Sequence, residues 1–249
     1  MSKFRTALLP LILLLLITAP AARAEEPNAE MLAKRVGQVF AGFDDFWVWV
    51  TQTFRDADKT ERTYRGRAYF KRPRMFRLNF GQPPFLVHGT DGDEYWIYDA
   101  GKNTIEYTEL DENTPVHVLF QVFAAGSQMV DALDRFFDVD ELDNAAEYVD
   151  PKTQKVFPVH KLVISLKPER LEEMREREGS LTDAKKKQQW TFFVDKKTFL
   201  PRRIQVDWGT GERYVFDLGK FNINRNLDPL NFRRPSPPNV TVTTMKTDE

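Results

Sequence analysis

Residues 66–107 constrain this chain more than any other stretch, because they set down a series of short strands with few residues between them. Aromatic and β-branched residues fill the runs, and Pro, Gly and Asp mark the turns that separate them. A chain that doubles back so soon, with apolar side chains on alternate positions, builds a curved antiparallel sheet. Such a sheet has an inner face to fill, with either its own core or a ligand.

The first 24 residues stand apart from the fold. Lys3 and Arg5 precede an apolar run at residues 7–17, broken only by Pro10, and Ala22-Arg23-Ala24 offers an A-x-A cleavage site. The run is short for a spanning helix. Residues 1–24 therefore read as a cleaved signal peptide, and residues 25–249 as one soluble domain exported to the periplasm. The chain has no Cys, so its stability is expected to come from packing without disulfides. Removing the leader takes away Lys3, Arg5 and Arg23, which changes 36 basic against 37 acidic residues to 33 against 37. That balance gives no electrostatic case for nucleic acid or for an anionic membrane surface. Phe alone accounts for 20 residues, which suggests a wide apolar interior.

Along the mature chain, Asn28 caps a helix predicted to run to Ala41, with Leu32, Val36, Val39 and Phe40 on one face and Gly42 as its stop. Residues 46–54 read as a strand with Phe46, Val48, Val50 and Phe54 on one side and Trp47 and Trp49 on the other. Strands follow at 62–70, 75–80, 84–88, 94–99 and 104–108. The period then changes. Thr114 and Pro115 make an N-cap and N1 pair, and Val116, Leu119, Phe120 and Phe123 follow at helical spacing. Gly126 breaks the run, Ser127 recaps it, and Val130, Leu133, Phe136 and Phe137 form a second apolar face. Two short apolar helices inside a β meander read as a cover laid on an open sheet, or as a plug for its core. Strands resume at 158–166, 189–194, 201–208 and 213–218, and residues 240–244 suggest a last edge strand. Residues 168–187 are almost wholly charged and read as a solvated helical insertion.

The search for chemistry finds little. Without Cys, thiol nucleophiles and thiolate metal sites are excluded. His88, His117 and His160 fall in three separate elements with no paired-ligand spacing, and read as structural residues. Asp91, Asp93 and Glu94 lack the remaining ligands of a calcium loop and are explained as turn residues. No nucleophile elbow, phosphate-binding loop or dinucleotide fingerprint is present. The expectation is a protein that is not an enzyme, with no catalytic residue, metal or cofactor. An apolar concavity suits long acyl chains, at about 0.8 kcal/mol per buried methylene. Patterning alone leaves open whether the interior is filled or empty.

Residues 46–108 and the end of the chain resemble the periplasmic outer-membrane lipoprotein carrier family, LolA. The pieces stand in order: Val50-Thr51-Gln52-Thr53-Phe54, Gly66, Lys71-Arg72-Pro73 with Phe76, Pro83-Pro84, Asp91-Gly92, Trp96-Ile97-Tyr98, and finally Phe232 with Pro237-Pro238-Asn239-Val240. The resemblance implies an α+β, mainly β fold: an incomplete, curved antiparallel β-barrel whose hydrophobic cavity is covered by short helices. It implies a monomeric carrier that shields lipoprotein acyl chains between an inner-membrane ABC-type release complex and an outer-membrane receptor. The family's functional arginine falls on Arg72, which would latch the cover by bonding its backbone carbonyls. Phe76, Trp96, Leu119, Phe120, Phe123 and Phe136 are the expected lining of cavity and cover. The cover and the charged insertion depart from the family's letters. A carrier of another lipid, or a lipid-responsive envelope regulator, is the alternative on the same fold.

Overall fold

The computed structural model describes residues 26–110, 117–125, 129–169 and 188–245. The expected leader, the Thr114-Pro115 cap, the Gly126-Ser127 break and most of the charged insertion lie outside the described residues.

Helix α1 (Ala29–Ala41) begins where Asn28 accepts a hydrogen bond from the Met31 N–H at 2.8 Å and ends at Gly42. An acceptor side chain at this position satisfies one of the amides that a helix start leaves unpaired. Leu32, Val36 and Phe40 form its buried stripe. Six strands follow: β1 (Asp45–Arg55), β2 (Glu61–Lys71), β3 (Met75–Phe80), β4 (Leu86–Thr90), β5 (Glu94–Asp99) and β6 (Thr104–Glu109). Each pairs antiparallel with the next. Gly66 sits where β2 crosses β3, and a Cβ there would lie 2.2 Å from the Asn79 carbonyl oxygen. Only glycine permits that approach.

Helices α2 (Val118–Ala125) and α3 (Met129–Phe136) interrupt the strands, which resume with β7 (Phe137–Asp143), β8 (Glu147–Val149), β9 (Val156–Leu166), β10 (Gln189–Asp195), β11 (Pro201–Asp207), β12 (Arg213–Leu218), β13 (Asn222–Ile223) and β14 (Thr241–Thr244). The main path runs β14-β6-β5-β4-β3-β2-β1-β12-β11-β10-β9-β7, with β13 on β1 and β8 on β9. It ends at β14 and at β7, so among the described residues the sheet is open. The fold is mainly β, one curved sheet of 14 strands.

Three strands were not legible in advance, the shortest being β13 with two residues. β7 reads FDVDELD and is mostly exposed, so it shows no apolar alternation to signal a strand. β8 is three residues long. The expected last edge strand is β14, which pairs parallel to β6 where the rest of the path is antiparallel.

Alternation along β1 separates two environments. Phe46, Val48 and Val50 face the core, where each is at most 2% exposed. Trp47 and Trp49 point to the convex side, where the Arg67 guanidinium lies 4.6 and 4.2 Å from their rings. That stacking covers the arene faces without a hydrophobic partner.

Candidate functional site

The concave side of the sheet is apolar because successive inward positions of β1, β2 and β3 are. Phe46, Val48, Ala68, Phe70, Phe76, Leu78 and Phe80 are all buried there. Helices α1 and α2 lie over them. Phe123 of α2 meets Phe46 edge to face at 5.0 Å and lies 6.0 Å from Phe40 of α1. Phe120 lies 5.6 Å from Phe76. Leu119 is fully buried in the same cluster. Four of the expected residues, Phe76, Leu119, Phe120 and Phe123, thus meet between the sheet and the helices.

Arg72 occupies the turn from β2 to β3. Its Nε donates to the Phe43 carbonyl at 2.7 Å, and its Nη2 donates to the Phe40 carbonyl at 2.9 Å. The planar guanidinium suits two carbonyls held side by side. Phe40 is in the last turn of α1, where carbonyls lack helical partners and a cation meets the negative end of the dipole. The resemblance pointed to carbonyls of the cover; those bonded belong to the end of α1 and the turn after it, rather than to α2 or α3.

Trp96 requires a correction. It is fully buried, but with Val87 and Ile105 in a second cluster, which Tyr98, Tyr107 and Val240 flank. The register decides this: Thr90 pairs with Tyr95 and Gly89 with Trp96. Thr90 pairs with inward-facing Phe76, so Tyr95 faces the concave side and Trp96 the opposite one. A Cβ on Gly89 would lie 2.3 Å from the Trp96 ring. Phe136 is half-buried at the end of α3, with the Arg135 guanidinium 5.2 Å over its ring. Leu133 and Phe137 of that stretch pack on the core.

Sequence reasoning missed a polar group on the concave side. His88 of β4 and His117, just before α2, bring their rings to 5.0 Å. Tyr95 of β5 places its hydroxyl 2.9 Å from His88 Nδ1. Phe76, Phe80 and Phe216 surround the pair, at ring distances of 6.2 Å and 5.6 Å from His117 for Phe76 and Phe216 and 6.4 Å from His88 for Phe80. Burial pushes the His88 imidazole down to about 4. It holds His117 well below the histidine range, with His88 acting in the same direction. Burial raises the Tyr95 phenol. The signal available was parity: His88 alternates in step with Leu86 and Thr90. Nothing in the sequence tied it to His117. His160 is elsewhere, bonded to Asn144 at 2.6 Å.

The convex side carries a polar hollow of about 500 Å³ lined by Asp140, Lys161, Gln189, Thr191, Asp207 and Arg213, among others. Its charges are paired internally: Lys161 with Glu141, Arg213 with Asp207, and Asp140 with Ser165 and Gln189. No described helix is long and apolar enough to cross a membrane.

Solved structures resemble this backbone. An uncharacterized conserved protein from Thermus thermophilus is 14% identical, with a TM-score of 0.49, over 87% of this chain and 99% of that one. A DUF1329 family protein from Desulfovibrio piger is 13% identical, with a TM-score of 0.46, over 82% and 95%. A LolA superfamily protein from Nitrosomonas europaea is 12% identical, with a TM-score of 0.41, over 84% and 98%. These are likenesses of chain course. No family model matches the sequence, and no curated protein matches it.

Proposed function

We propose that the protein is a periplasmic carrier that shelters the acyl chains of lipoproteins between its concave sheet and its helices, and moves them from the inner to the outer membrane without chemical change. One observation carries this reading. The aromatic side chains of α1 and α2, Phe40, Phe120 and Phe123, rest on an apolar sheet face through contacts with the rings of Phe46 and Phe76. Such contacts are non-directional and are replaceable by methylenes at small net cost. The ordered sequence resemblance to the lipoprotein carriers supports the same reading, and residues 1–24 would direct export.

In this reading Arg72 stabilises the closed cover by holding the end of α1. An inner-membrane ABC-type complex would load the cargo and an outer-membrane receptor would accept it. The test is native mass spectrometry with lipid extraction of the chain purified from periplasm, beside uptake of a fluorescent acyl probe. Co-purified acylated protein is the expected result. A protein that emerges empty and takes up no probe overturns it.

A further inference from the structure

The polar hollow of about 500 Å³ lies on the outer face of β7, β9, β10, β11 and β12, and the strand register explains its shape. Glu141, Val163, Thr191 and Gln205 stand side by side across four strands. The middle two have short side chains and form the floor. Lys161 and Phe193 pair in the row on one side, and Gln189 and Asp207 in the row on the other. Their longer side chains rise as walls. Val163 and Thr191 line the space while only 4% and 5% exposed, which makes it a recess rather than a flat strand surface.

Hydrogen bonds hold the walls in place. Glu141 accepts from Lys161 Nζ at 2.9 Å on both oxygens. Asp140 accepts from Ser165 at 3.0 Å and from Gln189 at 3.1 Å. Asp207 accepts from Gln205 and from Arg213 Nε. A ligand thus meets a lining that is already ordered, which reduces the entropy lost on binding. A carboxylate offers about four lone-pair sites, an ammonium three donors and a guanidinium five. The printed partners of each group leave it capacity, so donors and acceptors alternate around the space.

The lining also narrows the ligand. Small-molecule sites of about 300–1,000 Å³ are mostly apolar, whereas this one is mostly polar and calls for a polar occupant. Three carboxylates, Asp140, Glu141 and Asp207, stand against two cations, Lys161 and Arg213, which leaves a net charge of −1. An anion would meet that excess, and a cation would compete with Lys161 and Arg213 for the carboxylates they hold. Among the described residues no group of acidic or histidine side chains is placed to hold a metal ion. Hydroxyl groups fit, since each donates once and accepts twice without charge. Phe193 adds a half-buried apolar ring to one wall, against which the C–H face of a sugar ring can lie.

We propose that this hollow binds a neutral carbohydrate through its alternating donors and acceptors and the ring of Phe193. Val163 and Thr191 alternate along their strands with the core residues Leu162, Ile164 and Trp190, so the site is on the opposite face from the apolar interior. It stands independently of the carrier reading.

The test titrates the ¹⁵N-labelled mature chain, residues 25–249, with glucose, cellobiose and maltose. Glucuronic acid and glucosamine serve as the anionic and cationic counterparts of glucose. At least one neutral sugar should give saturable shifts of the Val163, Thr191 and Phe193 amides. Phe193→Ala should weaken its binding about three- to tenfold, the loss of one ring contact. Gln189→Ala, which frees Asp140 from one partner, should weaken it several-fold. Both variants should take up a fluorescent acyl probe as the wild type does. No saturable shift with any neutral sugar overturns the proposal, as do shifts confined to other parts of the sheet. Tighter binding of glucuronic acid or glucosamine than of glucose overturns it too. The wild-type titration decides all three outcomes however the variants fold. Acyl uptake without sugar binding would sink this site and leave the carrier standing, and sugar binding without acyl uptake would do the reverse.

Discussion

Arg72 holds Phe40 from behind: its guanidinium takes the Phe40 carbonyl at 2.9 Å while the Phe40 ring lies 6.0 Å from Phe123. One residue thereby links a sheet turn, the end of α1 and, through Phe123, helix α2. The two rings in that link also meet Phe46 of the sheet, at 5.9 Å from Phe40 and 5.0 Å from Phe123.

Replacing Arg72 should consequently affect exchange more than folding. Arg72→Leu removes two charge-assisted bonds from an exposed side chain, a loss of about 1–3 kcal/mol. Urea denaturation should show that modest loss, while a preloaded acyl probe should leave the protein several-fold faster. Release and transfer at wild-type rates would remove Arg72 from the mechanism.

The second cluster makes an opposite prediction. Trp96→Ala should cost about 3–5 kcal/mol, as for other buried aromatics, and Gly89→Ala about 1–3 kcal/mol because its new methyl meets the Trp96 ring. Acyl-probe affinity per folded molecule should stay at the wild-type value in both. A selective loss of affinity in Trp96→Ala would return that residue to the ligand side.

Asp45 is 1% exposed and secures the crossing to the C-terminal segment. It accepts from the Arg225 N–H at 2.7 Å and the Leu227 N–H at 2.8 Å, with Lys71 Nζ at 3.7 Å. Asp45→Ala leaves two backbone donors without their carboxylate and should cost about 2–4 kcal/mol by chemical denaturation. A loss below 0.5 kcal/mol would mean that water replaces the carboxylate at about no cost.

The histidine pair sets a pH dependence. His88 falls from 6.5 to about 4 in the folded protein, so between those values the unfolded chain binds the extra proton. Its contribution is full above pH 6.5 and is lost as pH falls toward 4, on the order of 3 kcal/mol. His117 is shifted in the same direction. Among the described residues, the titratable groups in contact with the pair are the two rings themselves and Tyr95, whose phenol stays neutral throughout this range. Urea midpoints should drop between pH 7 and pH 4.5, and less so in His88→Gln. A flat profile across that window would show that the two rings are not buried as described.

The strands of the meander, the stops of α1 and the two apolar helices were legible because local rules decide them: period-two alternation, turn residues, and a cap at Asn28. Those rules did not assign faces in β5. Glu94-Tyr95-Trp96-Ile97-Tyr98-Asp99 carries apolar rings on both parities, and a single-residue change of register exchanges the two sets. Only the pairing of Gly89 with Trp96, and the return of the chain near Val240, settled which ring lies inward.

The sequence by itself determined a curved antiparallel sheet with helices set into it, because alternation and turn chemistry act between near neighbours. The tertiary structure alone decided that Arg72 bonds the end of α1, that Trp96 faces away from the helices, and that His88 meets His117. Those are contacts between residues distant in the chain. Curvature and register bring them together, and neither is written into any short window of residues.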